Sequence, residues 1–515
     1  MGVILLSLLV IAGVLILPWV WKVFIHVWWR PKRLERALKE QGIHGSSYKL
    51  LFGNIIDYGR TWKEARAKPM GLSHQIVPRV VPFDHQAVRK YGKISVAWFG
   101  TLPSVQIMDL ELIREVFLNK SGHFEKSVAS PFLKQLVTGL VTHEGEKWAK
   151  HRRIINPSFH VEKLKRMLPA FSASCNELVS KWEQWVGSEE SHELDVWPDL
   201  QALTADVISR AGFGSSYKEG RQIFQLITEQ AELVIKAVYM AYIPGYEFLP
   251  TKDNLRRKEI DREVRAIIRR MIEKREMAMK MGEAHNDDLL GSLMESNFKE
   301  SQDQGNSKRM TIEDVIDECR LFYLAGQETT SDLLTWTMIV LSMHPSWQAQ
   351  ARDEVLRVFG KNKPDFDGLS YLKIVTMILY EVLRLYSPVV LLTRCTNERV
   401  QLGGMTLPAG VQLVLPVLLL HHDPELWGED ADEFKPERFS EGISKATKNQ
   451  LSFFPFAWGP RTCIGQNFAM IEYKLSLAMI LQRFSFELSP SYVHAPYTVL
   501  TLRPEYGAPL ILHKL

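Results

Sequence analysis

Cysteine is scarce in this chain: Cys175, Cys319, Cys395 and Cys463 are the only four in 515 residues. No C-x-x-C spacing and no H-E-x-x-H occurs, so a zinc cage has no ligand set to draw on. Four scattered thiols also argue against a disulfide framework and fit a reducing compartment. Charge of one sign is lacking too: 63 Lys and Arg stand against 59 Asp and Glu, and a net +4 is too small to grip a nucleic-acid backbone. No glycine-rich dinucleotide fingerprint is present, which leaves nicotinamide and flavin without a binding motif. There is no internal repeat and no Pro/Gly/Ser-rich linker. Length alone would allow about three domains; without a linker, one large domain over residues 30–515 is expected, preceded by a separate segment 1–29.

One long apolar run does occur. Residues 2–21 carry no charge, and about 20 such residues make a membrane helix. Lys22, Arg30, Lys32, Arg33 and Arg36 follow the run, while only the terminal amine precedes it, so the positive-inside bias leaves the body of the protein in the cytosol. Trp19, Trp21, Trp28 and Trp29 suit the membrane interface. A cleaved secretory signal would need its basic residues on the other side and a small-residue cleavage site, and neither is evident.

The most informative stretch is Phe456-Ala457-Trp458-Gly459-Pro460-Arg461-Thr462-Cys463-Ile464-Gly465, which runs into the apolar helical pattern Asn467 to Leu481. A cysteine ahead of a helix N-terminus and near Arg461 has its anion favoured by the helix dipole and the positive charge. Gly459 and Gly465 let the backbone turn tightly and pass close to something flat. A haem iron held by cysteine thiolate asks for this arrangement, with the sulfur ionised, dry and hydrogen-bonded. The bland alternative is a small buried hydrophobe.

Other constellations stand in the chain. Trp148 and Arg152 lie four apart in a helical stretch, which puts an indole N–H and a guanidinium on one face, able to hold a carboxylate; a surface tryptophan beside a charge is the plainer reading. Thr311 caps a helix that runs to about Met343 and is stopped by Pro345. Its apolar middle is interrupted by Ala325-Gly326-Gln327-Glu328-Thr329-Thr330, where a back-bonded threonine kinking a core helix is the alternative to chemistry. Glu381 and Arg384 share a helical face, and such a pair contributes little if exposed. Residues 93–99 and 104–108 read as two strands followed by a helix over 109–119, with more short strands in 399–415 and 484–515. Residues 162–280 are mainly helical, with breaks at Pro169, Trp197-Pro198, 212–216 and 243–245, and the polar run 297–310 reads as a mobile connection.

Together these stretches resemble the cytochrome P-450 superfamily, whose cysteine signature F-x-x-G-x-R-x-C-x-G is matched at every fixed position. W-x-x-x-R at Trp148 and Arg152, A-G-x-E-T-T at 325–330, E-x-x-R at Glu381 and Arg384, and P-E-R-F at 436–439 follow the family's order over residues 30–515. Gln41-Gly-Ile-His-Gly, Ile154 to His160 and His421-His-Asp-Pro-Glu-Leu-Trp427 are similar to the plant clan 72 branch, which includes secologanin synthase, triterpenoid hydroxylases and hormone-inactivating hydroxylases. Ser387-Pro388 departs from the double proline common in close relatives, which touches only the local turn.

The resemblance implies a mainly α fold with a minor β region and an N-terminal transmembrane helix in the endoplasmic reticulum. It implies haem b with Cys463 as axial ligand, Phe456, Gly459 and Gly465 shaping the loop, and Trp148, Arg152, Arg394 and Arg461 binding propionates. Glu381, Arg384 and Arg438 would form a buried brace. Thr329 and Glu328 would organise proton delivery to dioxygen, with Gly326 leaving room for the gas. The pocket would be lined by Phe132, Leu136, Leu321, Phe322, Ala325, Val389, Val390, Leu391 and Val499. Electrons would come from NADPH through a flavoprotein reductase docked on Lys147, Lys150 and Arg153, for insertion of one oxygen atom into a C–H bond of a bulky apolar molecule such as a terpenoid. Two rivals stand beside this reading. One is a peroxide isomerase of the same fold, against which Thr329 and Glu328 argue. The other is a membrane-anchored haem sensor or scaffold without turnover.

Overall fold

A computed structural model of the chain describes residue 14 and residues 17–120, 122–126, 132–187, 191–214, 217–238, 246–282, 288–304, 309–447 and 449–515. The apolar run 2–21 lies mostly outside these. Among the described residues, no helix is long and apolar enough to cross a membrane. Residues 17–24 are helical, and Trp19, Trp21, Trp28 and Trp29 all stand exposed.

The fold is mainly helical, with small sheets at its margin. β1 (Ile94–Phe99) and β2 (Leu102–Ile107) pair antiparallel from Ile94↔Ile107 to Phe99↔Leu102, turning at Gly100 in the left-handed region. Helix α1 (Leu110–Leu118) begins where the Asp109 side chain accepts from the N–H groups of Glu111 and Leu112. The chain continues through β3 (Phe124–Glu125), α2 (Gly145–Ile155), α3 (Val161–Val186), β4 (Ser191–Asp195) and α4 (Val196–Val207). Further helices lead to α5 (Ile312–Met343), then α6 (Lys373–Leu385), β5 (Leu392–Thr396), β6 (Val400–Leu402), β7 (Met405–Leu407) and β8 (Gln412–Leu415). The chain closes with α7 (Gln466–Leu481), β9 (Phe484–Leu488), β10 (Pro496–Thr498), β11 (Leu502–Pro504) and β12 (Pro509–Lys514). One sheet runs β1-β2-β8-β5-β3, parallel only between β2 and β8, and a second runs β4-β12-β9.

Two expectations from the sequence are corrected. Pro169 does not interrupt α3, which continues through it to Val186 because tertiary packing of one apolar face outweighs the lost hydrogen bond. A helix spans Leu289–Gln304, so most of the polar run 297–310 is helical, and residues 305–308 lie outside the description.

Helix α5 is the axis of the core. The Thr311 hydroxyl accepts from the Asp314 N–H at 3.1 Å, and the Asp314 carboxylate accepts from the Thr311 N–H at 3.0 Å, a closed capping box. Most side chains beyond it are buried, because α4, α6, α7 and β9 surround the helix. Trp336 stacks on Tyr386 at 4.5 Å and donates its indole N–H to the Leu502 carbonyl at 2.9 Å.

A buried brace connects α6 to the cysteine loop. Arg384 donates to both oxygens of Glu381, at 2.8 and 2.7 Å, and both side chains are wholly buried. Arg384 also donates to the carbonyls of His421 and Ala431, at 2.8 and 2.6 Å. Arg438 lies 3.5 Å from Glu381 and pairs with Asp430 at 2.8 Å. Burial, and then the Arg384 charge, pull the His421 imidazole down to about 3, so the ring is neutral at pH 7. Its Nε2 can therefore accept the Phe454 N–H at 3.2 Å. The Phe454 carbonyl accepts from Ala457, and the Phe456 carbonyl accepts from the Cys463 N–H at 2.8 Å. Glu381→Ala leaves the buried Arg384 guanidinium without its counter-charge, while Arg438 keeps Asp430, and is expected to cost about 3–5 kcal/mol in urea unfolding. A loss below about 1 kcal/mol would show that the brace is dispensable.

Candidate active site

Cys463 sits between the tight turn Gly459–Arg461 and the first turn of α7. Gly459 has φ +74°, and a Cβ there would come within 3.0 Å of the Phe117 carbonyl, so the position requires glycine. Gly465 has an ordinary φ of −87°, and its backbone N–H hydrogen-bonds the sulfur. Burial pushes the Cys463 thiol up, and the Gly465 N–H and the Arg152 charge only partly offset it. A coordinated thiol is deprotonated, so an iron on this sulfur would supply the positive charge that offsets the burial.

The sulfur is enclosed by protein yet has open surface. Ala325, between buried neighbours on α5, is also exposed, as is Leu391 at 38%.

Beside the sulfur lies a cluster of cations with too few partners. Arg394 is 3% exposed, and its Nη1 donates to the carbonyl of its own neighbour Thr393 at 2.8 Å. Arg461 pairs with Glu144 and lies 4.5 Å over the Trp148 ring, but its Nη1 is buried without a hydrogen-bond partner. Lys126 stands near both, and its backbone N–H donates to Glu144 at 2.5 Å. Burial, followed by Arg394 and Arg461, pulls the Lys126 ammonium down to about 7. Burial and Arg461 pull Arg394 down to about 10. Three cations around Glu144, with Glu125 further out, are electrostatically incomplete, and a ligand bearing two carboxylates would balance them. With a soft thiolate donor nearby, this set fits haem and its propionates.

The Trp148 and Arg152 pair does not converge on one spot. Arg152 donates to the Thr462 carbonyl at 2.9 Å and so holds the cysteine loop, while Trp148 faces Arg461. Lys126 and Glu144 escaped the sequence reading because no motif marks them. Their charge was the only signal.

On α5 the Thr329 hydroxyl donates to the Ala325 carbonyl at 2.8 Å, and Glu328 accepts from Thr501 at 3.5 Å. A Cβ on Gly326 would come within 3.0 Å of the Ile208 side chain. A bare backbone there lets the two segments pack closely. His143, His151 and Glu318 bring potential ligand atoms within 4.8 Å of one another. Glu318 already accepts from His151 at 2.6 Å and from the Leu140 N–H at 3.0 Å, so the cluster reads as a tie between α2 and α5.

The expected pocket residues divide. Phe132, Leu136, Leu321, Phe322 and Val390 are buried, Val389 is intermediate, and Ala325 and Leu391 are open. Phe132 lies under the Arg257 guanidinium at 4.2 Å and against Tyr246. Val499 lines a separate cavity of about 170 Å³ with Tyr58, Trp62 and Phe83. Of the surface cations, Lys147 pairs with Asp314 at 2.8 Å and Lys150 donates to the Arg309 carbonyl at 3.3 Å.

A thiol loop beside a cation cluster, in a chain whose core helix carries an acid and an alcohol, fits a thiolate-ligated haem protein. Comparison with known proteins agrees: residues 70–506 match the family model described as Cytochrome P450. The chain is 63% identical over 492 residues, 95% of each chain, to "Cytochrome P450 CYP72A616" of Paris polyphylla. It is 58% identical over 498 residues, 96% of each, to "Cytochrome P450 72A397" of Kalopanax septemlobus. It is 54% identical over 507 residues, 97% of each, to "7-deoxyloganic acid hydroxylase" of Catharanthus roseus. The chain belongs to the cytochrome P450 family, in its plant CYP72 clan, and is a monooxygenase. Its cofactor is haem on a cysteine thiolate, used with dioxygen and reductase-derived electrons.

Removing one cation should loosen the haem. Arg394→Met is expected to raise the rate of haem loss to a scavenging apoprotein by about tenfold or more, since a charge-assisted hydrogen bond contributes roughly 1.5–3 kcal/mol. Two carboxylates would raise the Lys126 pKa above about 7, so its share of haem affinity is fully present below that pH and lost as pH rises beyond it. Wild type should therefore lose affinity relative to Lys126→Met between neutral and alkaline pH. Parallel curves from haem titrations of the two apoproteins would contradict this.

Proposed function

We propose that this monooxygenase hydroxylates a C–H bond of a bulky apolar plant metabolite, a terpenoid or related hormone, using electrons from NADPH through a membrane-bound cytochrome reductase. The observation that carries the reading is the under-paired cation cluster of Lys126, Arg394 and Arg461 beside the Cys463 loop. Bound haem supplies the activation of dioxygen, and the chain's side chains do the rest. Lys126, Arg394 and Arg461 hold the carboxylates. Arg152 and the Glu381, Arg384 and Arg438 brace fix the loop, with Phe456 and Gly465 beside the sulfur.

Apolar substrate recognition is assigned to Leu321, Phe322, Ala325, Val389, Val390 and Leu391, with Phe132 and Leu136 behind them and Val499 at the aromatic cavity. The printed activity of the Catharanthus roseus relative supports hydroxylation of a small metabolite. Segment 1–29 is assigned as a single-pass anchor in the endoplasmic reticulum, with residues 30–515 facing the cytosol. The exposed tryptophans at 19, 21, 28 and 29 support this assignment. Lys150 and Arg153, with Lys147 beside them, are assigned to reductase docking.

Glu328 is the proton carrier and Thr329 the group that receives from it. Thr329→Ala should retain haem but divert reducing equivalents to peroxide, lowering product per NADPH by roughly tenfold or more. Full coupling in that variant would overturn the relay. Optical titration with a terpenoid and phytohormone panel, followed by product analysis with reductase, tests the substrate class. A panel-wide absence of both spectral shift and product would contradict it.

A further inference from the structure

The tie between α2 and α5 leaves ring nitrogens over. His143, in the turn ahead of α2, and His151, on α2, meet edge to face, with ring centroids 4.5 Å apart and planes at 76°. Glu318 on α5 completes the group, and one potential ligand atom from each of the three lies within 4.8 Å of the others. Among the described residues, no other set of three such side chains comes this close. His151 and Glu318 are wholly buried, and the Nε2 atoms of His143 and His151 are both buried without a hydrogen-bond partner.

Protons alone do not satisfy this group. Glu318 accepts the Leu140 N–H on one oxygen at 3.0 Å and faces His151 Nδ1 on the other at 2.6 Å. With the proton of neutral His151 on Nδ1, that contact is a hydrogen bond, and Nε2 turns a lone pair toward Asp314 Oδ1, an acceptor 3.7 Å away. With the proton on Nε2, the lone pair of Nδ1 meets the Glu318 oxygen instead. A doubly protonated ring satisfies Glu318, yet its Nε2 proton stays beyond hydrogen-bond range of Asp314, and His143 still has nothing to bind. The charges favour a cation. Two carboxylates, Glu318 and Asp314, stand against the single ammonium of Lys147, which pairs with Asp314 at 2.8 Å, while the nearby Arg461 is taken by Glu144.

We propose that His143, His151 and Glu318 form a zinc site that clamps the turn ahead of α2, and α2 itself, to α5. The ion takes the place of the proton between His151 Nδ1 and Glu318, and His143 is the third ligand. Metal on Nδ1 fixes the His151 proton on Nε2, where Asp314 is the carboxylate that orients it; metal-bound imidazoles regularly carry such a partner on the second nitrogen. Two imidazoles and a carboxylate, with one position for water, are a zinc ligand set, and Zn–N and Zn–O distances of about 2.0–2.2 Å ask His151 Nδ1 and Glu318 to part by less than about 1 Å. His143 is only partly buried, which gives the ion a way in. The ligands are chain neighbours of the groups that support the cysteine loop. Glu144, next to His143, pairs with Arg461, and Arg152, next to His151, holds the Thr462 carbonyl. Zinc therefore stiffens that support.

The test adds zinc to full-length, haem-loaded protein that has been dialysed against a chelator. Wild type should retain one zinc per haem through buffer exchange. X-ray absorption at the zinc edge, to which the haem iron does not contribute, should show two imidazoles and no sulfur. Zinc should also raise the melting temperature and slow haem loss. His143→Ala, a change at a partly exposed turn, should weaken zinc binding by about tenfold or more, the smallest loss typical even of a group that only orients a ligand. It should also remove one imidazole from the spectrum. His143→Cys should restore binding and add one sulfur at about 2.3 Å. A wild-type protein that retains no zinc overturns the proposal. So does a sulfur ligand in the wild-type spectrum, or zinc binding that neither His143 variant alters.

Discussion

The structure turns on a conflict around one sulfur. An iron ligand must be an anion, and Cys463 is enclosed in protein, which disfavours anions. The chain meets the conflict by preparing the surroundings. A backbone N–H from Gly465 and the charge of Arg152 are already aimed at the sulfur, so the metal finds its ligand oriented. The same burial that raises the thiol keeps His421 neutral, and only neutral imidazole can accept the Phe454 N–H that links the brace to the loop.

Electrostatic incompleteness is the second theme. Folded proteins rarely leave buried cations without counter-charges, yet Lys126, Arg394 and Arg461 share little beyond Glu144. On α5 the imbalance takes another form, because Glu328 and Asp332 are acids held where ionisation is unfavourable.

Much of this was legible in the sequence where chemistry fixes residue type at short spacing. The cysteine loop, the Glu381 and Arg384 pair and the Thr311 capping box are local patterns, and the strands at 94–99 and 102–107 announce themselves by composition and a glycine turn. Long-range electrostatics were not legible. Lys126 and Glu144 are 18 positions apart and meet Arg461 only in the folded chain. Arg152 shared a helical face with Trp148 as expected, but the loop carbonyl of Thr462 claimed its donor. Propensity misled at Pro169, where the packing of α3 prevails. Asp332 belongs to none of the sequence motifs, and only its burial sets it apart.

The central claim is that Cys463 is the iron's ligand, and the carbon monoxide spectrum of the reduced protein tests it most directly. Wild type should show the red-shifted Soret band of a thiolate-bound haem, and Cys463→Ala should lose that band while residual haem absorbs elsewhere. A Cys463→Ala protein that kept the thiolate-type band would contradict the account.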